Sequence, residues 1–207
     1  MMQLDDYPKL TVIMRGYSYE QAMLIIKILS HYNHRVGVEV TTNNPDYLKI
    51  IKDGTSKFGD QVYIGVGTVL KVEQAREAIK AGAKFMLGPQ KFDQKIFELA
   101  KKEAIITVPG AMTPTEVYDQ LECGADIVKI FPAITIGKSI FSQIQGPLGS
   151  QKLMAVGGIN LENAKDFLDV GASYLGIGSN FFNKKDVENL DEPALSKSVD
   201  SFLERIS

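Results

Sequence analysis

Short apolar runs and amphipathic stretches alternate along the whole chain. The apolar runs are LTVIMRG (10–16), RVGVEVT (35–41), VYIGVGT (62–68), KFMLGP (84–89), AIITVPG (104–110), DIVKIFP (126–132), KLMAVGG (152–158) and SYLGIGS (173–179). Each is brief and runs into Gly, Pro, Thr or Ser, the pattern of a buried strand followed by a loop. Between them lie SYEQAMLIIKILSHY, NPDYLKIIKDGTSKF, KVEQAREAIKAGA, TPTEVYDQLECGA and NLENAKDFLDVGA, whose apolar spacing predicts helices. Three of these close on Gly-Ala at Gly82, Gly124 and Gly171, where a left-handed turn feeds the next strand. Alternating β and α units require a parallel sheet covered by helices. Eight such units predict a closed (β/α)8 TIM barrel, with an open doubly wound sheet as the alternative.

The 207 residues suit one substantial core, so a single domain over residues 1–207 is expected. Residues 183–193 read as a polar, acidic tail before a last helix over 195–206, with no linker or low-complexity segment. Lys and Arg total 23 against 25 Asp and Glu, which argues against a nucleic-acid groove. The opening MMQLDDYPKL lacks the basic and apolar parts of a secretory signal, and no stretch has the apolar length of a membrane span. A lone cysteine, Cys123, forms no internal disulfide and fits a reducing, cytoplasmic setting; it reads as a small buried filler at a helix end.

Chemistry in such a barrel gathers at the C-terminal ends of the strands. In RVGVEVT, Val36, Val38 and Val40 share one face, which turns Gly37, Glu39 and Thr41 toward the barrel axis. Lys129 sits in IVKIFP, where a buried ammonium is costly unless it is paired or neutral. A neutral amine is a nucleophile of the kind that forms Schiff bases; the alternative is a lysine that snorkels to solvent or pairs structurally. Glu39 could shuttle protons beside such an amine or serve as its ion-pair partner. Arg15 shares parity with Thr11 and Ile13, so it could bind a substrate carboxylate or act as a counter-ion for Glu39.

Two glycine-rich strand ends, AVGGIN (155–160) and GIGSN (176–180), follow the seventh and eighth runs, where barrels commonly cradle a phosphate. Gly157, Gly158, Gly178 and Ser179 fit that use, although glycine pairs are also ordinary turns. His31 and His34 fall at a helix exit at the opposite end, as surface or capping residues. No His, Cys or carboxylate set has metal-ligand spacing. No serine sits in a GxSxG elbow, and Lys138 lacks the upstream glycine of a P-loop and reads as solvated.

Seven ordered motifs, VEVTTNNP, GVGTVL, LGPQ, TVPGAMTPTE, VKIFPA, AVGGIN and GIGS, resemble the class I aldolases of 2-keto-3-deoxy-6-phosphogluconate and its galactonate epimer over nearly the whole chain. The resemblance implies that Lys129 is the Schiff-base lysine and Glu39 the proton shuttle, with Gly158 and Ser179 in a phosphate site. It implies that Thr68 and Pro89 line the pyruvate end, Thr68 helping to hold the carboxylate. It also implies a homotrimer that takes a phosphorylated 2-oxo acid without metal or organic cofactor. Two departures bear on the substrate. Gluconate-type members often carry arginine where this chain has Asn43, and threonine where it has Val156. Both look like the galactonate branch, in which Arg15 would be the main carboxylate ligand. Rival expectations are a 4-hydroxy-2-oxoglutarate aldolase, which needs no phosphate, and a phosphate-binding barrel without turnover.

Overall fold

Strands that are apolar on both faces form when a sheet is covered from both sides, and every residue of every strand here is buried. The computed structural model describes residues 2–207. The strands are β1 (Leu10–Met14), β2 (Val36–Thr41), β3 (Ile64–Gly67), β4 (Phe85–Leu87), β5 (Ile106–Val108), β6 (Gly110–Ala111), β7 (Val128–Ile130), β8 (Leu153–Val156) and β9 (Tyr174–Ile177). All pairings are parallel, in the order β5-β4-β3-β2-β1-β9-β8-β7-β6.

β5 and β6 are halves of one expected strand, split at Pro109, which has no N–H for a ladder. β5 pairs with β4 and β6 with β7. The N–H groups of Ile127 and Lys129 donate to the carbonyls of Thr107 and Pro109 at 3.1 and 2.9 Å. This segment therefore closes the ring, and the fold is the (β/α)8 barrel that the alternation predicts rather than an open sheet.

The helices are α1 (Tyr19–Ser30), α2 (Tyr47–Phe58), α3 (Val72–Ala81), α4 (Gln94–Glu103), α5 (Pro114–Glu122), α6 (Ala133–Ile136), α7 (Ile140–Leu148), α8 (Ala164–Asp169), α9 (Lys184–Glu188) and α10 (Glu192–Arg205). Side chains start several of them. Ser18 accepts from the Gln21 N–H, and Thr113 from the Glu116 N–H ahead of Pro114, each within a capping box. Gly82, Gly124 and Gly171 all have positive φ, as the Gly-Ala endings require. The last helix starts at Glu192 rather than Leu195, because Asp191 caps it and Pro193 fits its first turn. Part of the expected polar tail, Lys184–Glu188, is helical.

Two apolar layers follow from strand parity. Val36, Val38 and Val40 pack outward with Ile25, Ile26 and Ile50 of the helical mantle. Ile13, Phe85, Val108, Met154, Val156 and Tyr174 fill the barrel, whose N-terminal end is plugged by Tyr7 edge-on to Phe85 and Tyr174. His31 caps α1 and His34 packs on Tyr63, away from the strand C-termini. Cys123 corrects the sequence reading: it is exposed, not a buried filler. The buried positions of α5 are Val117 and Gln120, and Cys123 lies beyond them as the C-cap.

Candidate active site

Lys129 is the middle residue of β7, and strand alternation sends its side chain opposite to the mantle-facing Val128 and Ile130. It is 4% exposed. Glu39 lies on β2, which is reached from β7 in four steps around the ring in either direction, through β8, β9 and β1 or through the β5–β6 segment, β4 and β3. The two side chains therefore enter the interior from opposite walls. Glu39 is 1% exposed, and its Oε2 has no hydrogen-bond partner among the described residues.

The ion pairs within 4 Å among the described residues are all at the surface, and none includes Lys129, Glu39 or Arg15. Neither structural pairing, of Lys129 with Glu39 or of Arg15 with Glu39, is present as a close salt bridge. Burial pulls the Lys129 ammonium below the ordinary lysine range; Glu39 opposes this and Arg15 adds to it. Burial pushes the Glu39 carboxyl above the ordinary range, against the pull of Lys129 and Arg15. Both shifts favour neutral forms. The Lys129 Nζ also sits 5.0 Å from the Phe131 ring centre.

Arg15 follows β1 on the parity of Thr11 and Ile13, as expected, but is exposed at the barrel mouth rather than buried. There it lines a pocket of about 480 Å³ together with Val156, Gly157, Gly158, Gly178 and Ser179, so six of the predicted site residues converge. Gly157 and Gly158 have positive φ, and a Cβ on Gly158 would strike Ile134, so glycine is needed there. Lys129 and Glu39 lie outside this lining, and Phe131 is the lining residue that joins the pocket to the amine. Thr68 and Pro89 follow β3 and β4, away from the pocket. Thr68 has a left-handed φ of 58°, and its carbonyl accepts from the Thr42 hydroxyl at 2.7 Å. Asn43 is exposed and accepts from the Thr41 hydroxyl at 2.6 Å.

The pocket also brings in residues that the sequence reading did not single out. Phe131 could have been found by its parity with Lys129. Tyr17, Gln21, Asn180 and Lys184 carry no comparable signal, since they lie in loops or at helix starts. Lys138 is solvated as expected, paired with Asp166 at 2.8 Å. Among the described residues no three His, Cys, Asp or Glu side chains converge as a metal-ligand group, and no helix is long and apolar enough to cross a membrane.

Comparison with known proteins gives the same direction. The chain is 30% identical over 174 residues to the probable 2-dehydro-3-deoxy-6-phosphogalactonate aldolase of Rhizobium meliloti (strain 1021), covering 84% of this chain and 81% of that one. It is 29% identical over 182 residues to the 2-dehydro-3-deoxy-6-phosphogalactonate aldolase of Escherichia coli (strain K12), covering 87% and 88%. A solved structure described as native KDPGal superimposes with a TM-score of 0.81 at 27% identity, over 95% of each chain. The family model "Aldolase: KDPG and KHG aldolase" matches residues 4–197, and with a closed barrel and a buried lysine on β7 the chain belongs to the KDPG and KHG aldolase family.

Proposed function

We propose that this aldolase, a lyase, cleaves a six-carbon 2-oxo-3-deoxy sugar acid 6-phosphate to pyruvate and glyceraldehyde 3-phosphate through a Schiff base on Lys129. The observation that carries this reading is an amine 4% exposed, held toward its neutral form and unpaired within 4 Å among the described residues, facing a buried carboxylate.

The Lys129 Nζ adds to the C2 carbonyl, and loss of water gives a protonated imine. Glu39, in its ionised form and through a water, takes the C4 hydroxyl proton. The C3–C4 bond breaks, its electrons pass to the imine nitrogen, and glyceraldehyde 3-phosphate leaves a pyruvate enamine. Protonation at C3 and hydrolysis free pyruvate and the amine. The imine is the electron sink, so the scheme uses no metal or organic cofactor. Arg15 binds the substrate carboxylate with Thr68, whose strained backbone is the kind of feature that accompanies functional positions. Pro89 borders the pyruvate end. Gly157, Gly158, Gly178 and Ser179 receive the phosphate, which explains a pocket of about 480 Å³ beyond Phe131.

Asn43, Val156 and the names of the relatives in Rhizobium meliloti and Escherichia coli favour the galactonate epimer. A 4-hydroxy-2-oxoglutarate substrate would leave the glycine-lined pocket unused. We further infer one catalytic unit over residues 1–207 that acts in the cytoplasm as a homotrimer. The homotrimer is what the family resemblance implies.

The test is reductive trapping. Borohydride added with pyruvate should fix a three-carbon adduct on Lys129, located by peptide mass. An unmodified Lys129 in folded protein would sink the mechanism.

A further inference from the structure

We infer that Lys184 is a second, movable cation for the substrate phosphate, held by Glu188 until the phosphate arrives, and that it sets the preference for phosphorylated over unphosphorylated acids. The inference deepens the proposed function and rests on it. Its starting point is a conflict of charge. The wall of the pocket assigned to a phosphate dianion carries a carboxylate, Glu188, alongside the cations Arg15 and Lys184. An acid in that position repels a phosphate unless something neutralises it.

Lys184 supplies the neutralisation. Its Nζ lies 3.6 Å from the Glu188 Oε1, and the side chains are 87% and 54% exposed. This is a weak pair by three criteria: it is long, it is solvated, and lysine precedes glutamate, the less favourable order on a helix. Its loss costs little. A phosphate offers up to two negative charges and several acceptor oxygens, which makes it the better partner for an ammonium.

The backbone that carries Lys184 is fixed, so only the side chain has to move. Phe181 and Phe182 just before it are 3% and 5% exposed, and Phe181 stacks on Phe202 of α10 with ring centres 4.5 Å apart. The Asn183 side chain accepts from the Lys185 N–H at 2.9 Å, and Val187 of the same turn is buried against the pocket. The ammonium is thereby tethered at the pocket rim. The other lining cation, Arg15, is committed to the carboxylate, and the glycine loops offer only neutral N–H donors. Lys184 is left as the charge that can answer the phosphate.

The experiment is steady-state kinetics on the intact protein with the galactonate 6-phosphate substrate and with unphosphorylated 4-hydroxy-2-oxoglutarate. Lys184→Gln should raise KM for the phosphorylated substrate about tenfold, the scale of one charge-assisted hydrogen bond. It should leave kcat within about twofold and KM for the unphosphorylated acid unmoved. Inhibition by inorganic phosphate should weaken by the same factor, and Lys184→Arg should restore most of the loss. Glu188→Gln should lower KM for the phosphorylated substrate, by a factor that differs when Lys184 is also replaced because the two side chains act on each other, and equal factors in both backgrounds would overturn the coupling. Wild-type KM and phosphate inhibition in Lys184→Gln would overturn the inference while trapping at Lys129 left the aldolase reading standing. A wild-type protein without preference for phosphorylated substrate would overturn both the inference and the phosphate assignment.

Discussion

Gly67 of β3 faces the Glu39 carboxylate of β2 so closely that a Cβ on Gly67 would overlap the Glu39 Oε1. Glycine at position 67 is demanded by its neighbour, since its backbone is ordinary strand. Gly67→Ala should displace the carboxylate within a barrel that still folds. A shift of about 1 Å in a positioned group can cost about 100-fold, so kcat should fall by that order. The overpacking should cost about 1–3 kcal/mol of stability. Steady-state assay together with thermal unfolding checks both, and an unchanged kcat would show that the place of Glu39 does not matter to turnover.

In the proposed mechanism Arg15 acts from the barrel mouth in two ways. As a carboxylate ligand its loss in Arg15→Met should raise KM for substrate tenfold or more, roughly one charge-assisted pair. Its charge also holds the ionisations of Lys129 and Glu39 lower than burial and their mutual attraction alone would leave them. Removing the cation lets both groups keep their protons to higher pH. The acid limb of kcat/KM should therefore move upward in Arg15→Met and stay near its wild-type place in Arg15→Lys. Coincident limbs in all three proteins would remove the charge coupling.

The barrel is legible in the chain because its cause is local. Each apolar run carries its own period of two, so that RVGVEVT alone tells which side chains face the axis, and Glu39 and the valines lie as that parity requires. Lys129 is legible for the same reason: a charge in an apolar strand conflicts with its neighbours and calls for a function. The glycine loops that line the pocket show as glycines at matching strand ends. What stays hidden depends on distant neighbours. Lys184 looks like any solvated lysine in an acidic segment, and only the packing of Phe181 on Phe202 brings it to the rim. The split at Pro109 requires knowing that the run serves two neighbours, and the exposure of Cys123 requires knowing where the buried stripe of α5 ends.

Val156 ends β8 at the pocket wall, 4% exposed. Threonine has nearly its shape and adds a hydroxyl that can bond to a substrate hydroxyl of one handedness. Val156→Thr should shift the ratio of kcat/KM for the gluconate and galactonate epimers about tenfold toward gluconate. A site left with an unpaired hydroxyl in the free protein should lose about 1–2 kcal/mol of stability. The epimer ratio decides the matter: if it is unmoved, position 156 does not read the C4 hydroxyl.

The last expectation concerns stability and follows from the lone oxygen of Glu39. Burial raises the carboxyl above its ordinary 4.5 in spite of Lys129 and Arg15, so the folded protein holds this proton more tightly than the unfolded chain does. The sign follows by linkage. The favourable contribution of protonated Glu39 is complete below pH 4.5 and is lost as pH rises through the higher folded value, above which an ionised carboxylate is buried with Oε2 unpaired among the described residues. Glutamine keeps the shape and cannot ionise. Glu39→Gln should therefore match the wild type most closely in acid and become relatively more stable toward neutral pH, because it carries no charge to bury. The same substitution should lower kcat about 100-fold or more by removing the proposed proton shuttle. Urea unfolding of both proteins at pH 4 and pH 7.5, with kcat measured alongside, checks the two effects together. An equal stability difference at both pH values would mean that Glu39 does not titrate between them. A more stable and nearly inactive Glu39→Gln at neutral pH would mean that the barrel holds this carboxylate against its own stability for the chemistry it performs.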